Sequence, residues 1–152
     1  MIIIKNTTFG EIFPLWRYGL WPGRKSEIKP TNGIKFMGGY DKEIEKNIPT
    51  FFGAFIGDEC VGVNTGFATG KSSYRSRGLY VVPKHREEGI AHKLLHATQE
   101  QCIIEGYELI WSMPRKESLL VYLTFGFKKV SKFFEENVEF GPNCFVSKIL
   151  ID

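Results

Sequence analysis

Residues 79–95, LYVVPKHREEGIAHKLL, decide how this chain folds. The stretch begins with an apolar, β-branched run that predicts a short, largely buried strand. Pro83 ends that strand because it has no N–H for a ladder hydrogen bond. Gly89 then opens a predicted helix, on which Ile90 and Leu94 share an apolar face. A strand that meets a glycine turn at a helix N-terminus gathers free backbone N–H groups into a site for an anion such as phosphate.

The spacing of this stretch resembles the signature of the GNAT superfamily of N-acetyltransferases, in which a strand ending in Val-x-Pro precedes Arg-x-x-Gly-x-Gly/Ala. The matching residues are Val81, Pro83, Arg86, Gly89 and Ala91. For the glycine alone, a simple chain turn is the alternative, whereas the full spacing favours a phosphate loop. The resemblance implies that this loop wraps the pyrophosphate of acetyl-coenzyme A (acetyl-CoA), the expected cosubstrate. A side chain at position 89 would hold the backbone away from the phosphate.

A second motif, YLTFGF at residues 122–127, is similar to the helix end Tyr-x-x-x-Gly-Phe of the same family. The resemblance implies that Tyr122 lies beside the coenzyme A sulfur, where a phenol can protonate the departing thiolate. It also implies that the backbone N–H of Val81 points at the thioester oxygen. Packing in the core and an ordinary strand position are the alternatives for these two residues. The contacts implied for acetyl-CoA are Tyr80, Val81, Val82, Arg86, Glu87, Glu88, Gly89, Ile90, Ala91 and Tyr122.

Two sets of residues that could carry further chemistry are not assigned a role. The stretch 73–78, where the family often places a glutamate base, contains no carboxylate, and Asp58, Glu59 and Glu117 are expected to be solvated. Arg115 stands where the family often has an asparagine that contacts the pantetheine arm. We therefore assign no general base.

His92 and His96 are one helical turn apart, which would suit a metal ion. The zincin pattern requires glutamate directly after the first histidine, and Lys93 occupies that position. We interpret the pair as part of a solvated helix face and predict no metal site.

The order of predicted elements indicates an α+β fold with a mixed, mostly antiparallel central sheet of about six to seven strands and helices on both faces. Thr8 and Glu11 form a capping box before a first helix that Pro14 kinks or restarts. This order matches the GNAT arrangement along nearly the full chain. Strands are predicted at 2–5, 50–56, 60–69, 76–82, 109–113, 127–134 and 143–150, and helices at 9–20, 41–47, 89–105 and 117–125.

Length, charge and cysteine content limit the class of protein. At 152 residues the chain is expected to form one domain, 1–152, and no run of apolar residues approaches the length of a membrane span. The net charge of +3 is spread along the chain, whereas nucleic-acid binding requires a basic cluster. Three scattered cysteines, Cys60, Cys102 and Cys144, indicate free thiols of a reducing compartment. We expect a cytoplasmic monomer or homodimer that binds neither nucleic acid nor membrane.

Three functions are compatible with these motifs. The first is an acetyl-CoA-dependent N-acetyltransferase that moves an acetyl group directly to the amine of a small molecule. The second is a non-catalytic acyl-CoA-binding or sensing module, which the missing carboxylate in 73–78 favours. The third is a protein or peptide N-acetyltransferase, which would present an open groove rather than a closed pocket.

The charge around the expected acceptor side predicts the kind of acceptor. Residues 11–23 are similar to the first helix of some aminoglycoside N-acetyltransferases, whose substrates are polycations. Like charges across a binding cleft lower affinity, so the cations here predict an acceptor with a negative or neutral group near its amine. These cations are Arg17, Arg24, Lys25, Lys29, Arg75 and Arg77.

Overall fold

The computed structural model describes residues 1–151, which leaves Asp152, the last residue of the expected domain, outside the description. Its strands are β1 (Ile3–Thr7), β2 (Thr50–Ile56), β3 (Glu59–Ala68), β4 (Ser73–Val81), β5 (Leu109–Ser112), β6 (Lys128–Lys129) and β7 (Val146–Ile149). Within the described residues these seven strands form one sheet in the order β1-β2-β3-β4-β5-β7-β6. Only β4 and β5 run parallel. The predicted mixed, mostly antiparallel sheet is confirmed.

The longer helices are α1 (Phe9–Pro14), α2 (Ile90–Ile104) and α3 (Leu119–Phe125), and short 3₁₀ turns cover Lys42–Lys46, Pro83–His85 and Lys116–Ser118. The Thr8 hydroxyl caps α1 by accepting the Glu11 N–H at 3.2 Å. Beyond Pro14, which lacks an N–H, the chain continues as a wider π-helix over Leu15–Leu20. Within residues 1–151 no helix is long and apolar enough to cross a membrane.

The helices cover both faces of the sheet, as expected. On one face, Ile12 of α1 and Trp16 of the π-helix are fully buried against Phe51 and Val63. On the other face, α2 buries Ile90, Leu94 and Leu95, and α3 buries Tyr122. Burial of each large apolar side chain typically contributes about 1.5–3 kcal/mol, so these contacts fix the helices against the sheet.

Three predicted strands differ from the observed ones by three or more residues at one end. The strand predicted at 127–134 is wrong beyond Lys128–Lys129, and the one predicted at 143–150 shortens to Val146–Ile149. These residues lie at the sheet edge, where the chain leaves the ladder and retains isolated bridges. One is the bridge between Phe134 and Asn143, whose two N–H···O bonds measure 2.8 and 2.9 Å. By contrast, β4 begins at Ser73, three residues before the predicted start, because Ser73–Arg75 pair with strands on both sides.

One extra residue interrupts the ladder between β3 and β4. Between the pairs Thr65–Arg77 and Val63–Tyr80, β4 contains one residue more than β3, which defines a β-bulge. Gly78 lies in this bulge with a φ of +75°, a left-handed conformation that favours glycine. The bulge therefore requires a glycine at this point of the strand.

The first helical segment fixes the bulge in place. Trp16 Nε1 donates a hydrogen bond to the carbonyl oxygen of Gly78 at 2.8 Å. A Cβ added to Gly78 would overlap the Trp16 ring, so the indole occupies the space that any other side chain would need. The helix on one face and the strand bend at the centre of the sheet therefore depend on each other.

We predict that Gly78→Ala lowers the free energy of unfolding by about 2–4 kcal/mol, the sum of left-handed strain and overpacking against Trp16. Urea denaturation measures the loss. The matched control is Gly57→Ala, where φ is +60° but an added Cβ meets open space. Gly57→Ala should therefore show only the strain, about 1–2 kcal/mol. Equal losses in the two variants would show that the indole contact does not constrain position 78.

Candidate active site

The strands β4 and β5 separate near the centre of the sheet. They pair only between Ser73–Arg75 and Leu109–Trp111, after which β5 ends at Ser112 while β4 continues to Val81. Two adjoining cavities lie at this separation, one of about 970 Å³ and one of about 100 Å³. The residues that line both cavities are Leu20, Leu79, Arg115 and Ser118.

The turn between β4 and α2 forms one wall of the larger cavity. Gly89 lies at the helix N-terminus with a φ of +80° and leaves the first turn of α2 without a side-chain cap. Backbone N–H groups of an uncapped helix N-terminus are suited to bind an anion. Arg86 Nε donates to the carbonyl oxygen of Val81 at 2.9 Å, which ties this turn to the end of β4.

Most of the residues expected to contact a cosubstrate line the larger cavity. They are Tyr80, Val81, Arg86, Glu87, Gly89, Ile90 and Ala91. Val82 and Glu88 belong to the same turn but line neither of the two cavities. Glu88 instead lies 3.4 Å from Nδ1 of His85. Their contribution to binding stays a prediction.

The backbone of Val81 faces the gap between the strands. Val82 donates its N–H to the carbonyl oxygen of Val61 at 2.9 Å, and Val81 is paired with Gly62. Alternate residues of an antiparallel strand bond to the same neighbour, so Val81 directs its N–H and C=O away from β3. Its C=O accepts the bond from Arg86 on that side, and its N–H faces the side on which β5 has ended.

Tyr122 reaches the gap from α3. Its side chain is 3% exposed and lines the smaller cavity. Its hydroxyl oxygen lies 3.2 Å from Ser112 Oγ, and Ser112 in turn donates to the carbonyl of Ser76 at 2.6 Å. Burial raises the pKa of Tyr122 above its usual value of 10.0, and the two serines and the Arg75 charge offset part of that effect. The phenol is therefore protonated at neutral pH and can act as a proton donor.

Two buried arginines of β4 face the side of the sheet that the first helical segment covers. The Arg77 guanidinium contacts the rings of both Trp16 and Trp21, at 5.1 and 5.0 Å from their centroids, and donates to the Lys29 carbonyl at 2.8 Å. Arg75 stacks on Trp111 at 5.0 Å. Burial lowers the pKa of Arg75 to about 10 and that of Arg77 well below 12.5. Both line the smaller cavity.

Two residues that line these cavities, Arg115 and Glu139, were not assigned a role from the sequence. Arg115 lines both and donates from Nη2 to the Leu20 carbonyl at 3.0 Å. The one sequence signal for Arg115 was that it stands where the family often has an asparagine. Glu139 lines the larger cavity and accepts the Lys25 N–H at 2.6 Å and the Ser26 hydroxyl at 3.1 Å. No sequence signal marks that contact, because it joins segments more than a hundred residues apart.

The carboxylates and histidines considered from the sequence are dispersed. Glu117 lines the larger cavity, whereas Asp58 and Glu59 are exposed at the β2–β3 turn and line neither cavity. His92 lines the larger cavity and has Nε2 at 3.0 Å from Thr124 Oγ1. Within residues 1–151 no group of three or more histidine, cysteine, aspartate or glutamate side chains could hold a metal ion.

Comparison with known proteins identifies the fold around this gap. Residues 33–140 match the family model described as an acetyltransferase (GNAT) domain. An IAA acetyltransferase from Bacillus cereus is similar in structure, with a TM-score of 0.72, 16% identity, and 99% and 100% of the two chains covered. A GNAT family acetyltransferase from Elizabethkingia anophelis, solved with acetyl-CoA bound, gives 0.68 and 16%, with 98% of each chain covered.

An aminoglycoside 6'-N-acetyltransferase complexed with coenzyme A is more distant, with a TM-score of 0.61, 16% identity, and 73% of this chain and 78% of that chain covered. No curated protein matches the chain at a significant level. At these identities the solved structures support the fold, and the family model supports membership.

We predict that acid releases the contact between Glu139 and Lys25. Hydrogen bonds from the Lys25 N–H, foremost, and from Ser26 hold the pKa of Glu139 below its usual 4.5. A lowered pKa in the folded state means that the contact stabilises the protein above about pH 4.5 and is lost as the pH falls through the folded value. In Glu139→Gln, NMR hydrogen exchange should therefore show a less protected Lys25 amide at pH 6, and the difference from the wild type should diminish as the pH is lowered through the folded pKa of Glu139, which lies below 4.5.

Glu136→Gln, which removes a charge from an exposed position of the same segment, provides the control. If Glu136→Gln altered the protection of Lys25 as much as Glu139→Gln does, general charge rather than the hydrogen bond would be responsible.

Proposed function

The chain belongs to the GNAT family of acetyltransferases, and from this premise we propose that it transfers the acetyl group of acetyl-CoA directly to the amine of a small-molecule acceptor. One observation carries the proposal. At the gap between β4 and β5, a cavity bounded by an uncapped helix N-terminus adjoins a smaller cavity that contains a buried phenol. A cosubstrate and an acceptor could thus meet at one point.

Several features support acetyl-CoA as the cosubstrate. The larger cavity, about 970 Å³, lies at the upper end of the range of small-molecule sites. Two structures of similar fold contain coenzyme A or acetyl-CoA. We assign the pyrophosphate to the turn before α2, where backbone N–H groups bind it and Gly89 leaves room for it. The proposed contacts are Tyr80, Val81, Val82, Arg86, Glu87, Glu88, Gly89, Ile90, Ala91 and Tyr122.

The proposed chemistry uses the two groups that face the gap. The amine nitrogen bonds to the thioester carbonyl carbon, the carbon–sulfur bond breaks, and the products are an N-acetylated acceptor and the coenzyme A thiol. The Val81 N–H stabilises the negative charge that develops on the thioester oxygen. Tyr122 donates its proton to the departing sulfur, and the proton lost by the amine leaves through water, since no carboxylate base is assigned. Tyr122 then regains a proton from water, so that the amine proton replaces the one given to the thiol.

The shape of the smaller cavity favours a small acceptor over a protein. Its volume is about 100 Å³, and buried side chains such as Arg75, Arg77 and Ser112 form its walls. A protein acceptor would require an open groove at that place.

We also infer that residues 1–152 act as one domain. The cytoplasmic location stays a prediction, and Cys60, Cys102 and Cys144 are free thiols in the structure.

We predict that Gly89→Leu weakens the binding of acetyl-CoA at least tenfold, equivalent to about 1.4 kcal/mol, because the side chain holds phosphate away from the backbone. Isothermal titration calorimetry measures the affinity. Gly106→Leu is the matched control, since Gly106 follows the other end of α2 with a similar φ of +87° and equally open surroundings. Unchanged affinity in a folded Gly89→Leu protein would contradict the assignment of the phosphate site.

We predict that Tyr122→Phe lowers kcat about 100-fold or more and leaves the affinity for acetyl-CoA unchanged, since only the proton donor is removed. Coenzyme A release measures turnover across a panel of amines. Tyr74→Phe is the control, because Tyr74 is equally buried and its hydroxyl donates to Glu105, away from both cavities. Equal turnover in Tyr122→Phe, with chemistry rate-limiting, would limit Tyr122 to packing. Binding without turnover of any amine would favour the non-catalytic module.

A further inference from the structure

The guanidinium of Arg75 is buried without a polar partner. The residue is 5% exposed, and its Nε and Nη1 atoms have no hydrogen-bond acceptor among the described residues. The centre of the guanidinium lies 5.0 Å from the centroid of the Trp111 ring, a contact that provides no hydrogen-bond acceptor for its N–H groups. Buried donors of a cation are almost always paired in folded proteins, so this edge is available to a ligand.

Among the described residues, no carboxylate acts on the positive charge of Arg75. The charged or titratable groups that act on Arg75 are Tyr122 and Arg24, and those that act on Arg77 are Arg75 and Arg24. The nearby carboxylate, Glu139, acts on Arg24 and is already bonded to Lys25 and Ser26. Three arginines, Arg75, Arg77 and Arg115, line the smaller cavity, and no carboxylate acts on the first two.

A buried hydrogen-bond acceptor lies on the wall of the same cavity. Asn143 is 7% exposed, and its Nδ2 donates to the Met113 carbonyl at 2.9 Å, which fixes the orientation of the amide. Its Oδ1 has no partner among the described residues. Asn143 and Arg75 both line the smaller cavity, together with Tyr122. The smaller cavity is thus lined by guanidinium N–H donors of Arg75 and by the amide oxygen of Asn143, and neither has a hydrogen-bond partner among the described residues.

We propose that the smaller cavity binds the carboxylate and the amine of an α-amino-acid acceptor, with Arg75 paired to the carboxylate and Asn143 Oδ1 accepting an N–H of the amine. This inference rests on the acetyl transfer proposed above and specifies its acceptor. A planar guanidinium matches a carboxylate in a two-point bond, and an amide oxygen matches an amine donor. At about 100 Å³ the cavity accommodates only this end of the molecule, so the side chain extends toward the larger cavity past Leu20 and Leu79.

The test compares α-amino acids with their own α-carboxamides, which keep the amine and remove the negative charge. Coenzyme A release gives kcat/KM for each pair in the wild type, in Arg75→Met and in the control Arg17→Met, which removes a cation that lines neither cavity. In the wild type we expect at least one amino acid to exceed its carboxamide by about 100-fold. Arg75→Met should reduce that ratio to within about threefold and leave KM for acetyl-CoA unchanged, whereas Arg17→Met should retain it.

A second measurement requires no turnover. Calorimetric titration of the same amino acids into the protein saturated with coenzyme A should give binding that Arg75→Met abolishes and Arg75→Lys weakens, because lysine keeps the charge but loses the fork. Thermal unfolding of unliganded Arg75→Met should match or exceed that of the wild type, since an apolar side chain replaces an uncompensated buried cation. A large loss of stability would instead assign Arg75 a structural role.

The outcomes separate this inference from the proposed function. Turnover of amines with no preference for the acid over its carboxamide in the wild type would overturn the inference and support acetyl transfer. Arg75-dependent binding of amino acids without turnover of any amine would support the ligand assignment and overturn the proposed activity. A preference that persists in Arg75→Met would also overturn the inference.

Discussion

The contact between Trp16 and the backbone of Gly78 is the constraint on which the rest of the site depends. The indole donates to the Gly78 carbonyl and fills the space of the missing side chain, which keeps the extra residue of β4 in a left-handed conformation. If every residue of β4 after the Thr65–Arg77 pair were paired in a regular ladder, without a bulge, Val81 would lie opposite Val61. With it, Val82 takes the bond to Val61 and Val81 turns its N–H toward the gap. One glycine thus changes which residue faces the proposed reaction.

Because β4 separates from β5, the backbone N–H of Val81 faces a cavity rather than another strand. A continuous ladder would pair the end of β4 with another strand and would leave no cavity at the centre of the sheet. Because β5 ends at Ser112, the two faces of the sheet communicate there. From one face come α2, with its uncapped N-terminus, and α3, with Tyr122. From the other face come the first helical segment and two buried arginines, of which Arg77 contacts Trp16 and Trp21 and Arg75 contacts Trp111 of β5.

Tryptophan rings contact both buried arginines of β4. Trp16 and Trp21 both contact Arg77, and Trp111 contacts Arg75. Cation–π contacts stabilise a buried guanidinium through its faces and leave its N–H edge available for hydrogen bonds. Arg77 donates a hydrogen bond from its N–H edge to a backbone carbonyl, whereas the Nε and Nη1 atoms of Arg75 have no partner among residues 1–151. Two arginines in alternate positions of one strand therefore have different roles: one anchors the segment before the 3₁₀ turn at Lys42–Lys46, and we assign the other to a ligand.

The sequence by itself determined the elements whose signals are local. The β-branched run and Pro83 set the end of β4, Gly89 and Gly106 bound α2, Gly126 ends α3, and the spacing of these residues predicted the family and the phosphate loop. Such signals depend on neighbours within a few residues along the chain. The tertiary structure alone decided the bulge, the short edge strands, the bond from Glu139 to Lys25 and the lack of a partner for Arg75. Each of these depends on what packs against a residue from a distant segment, and periodicity along the chain carries no information about that neighbour.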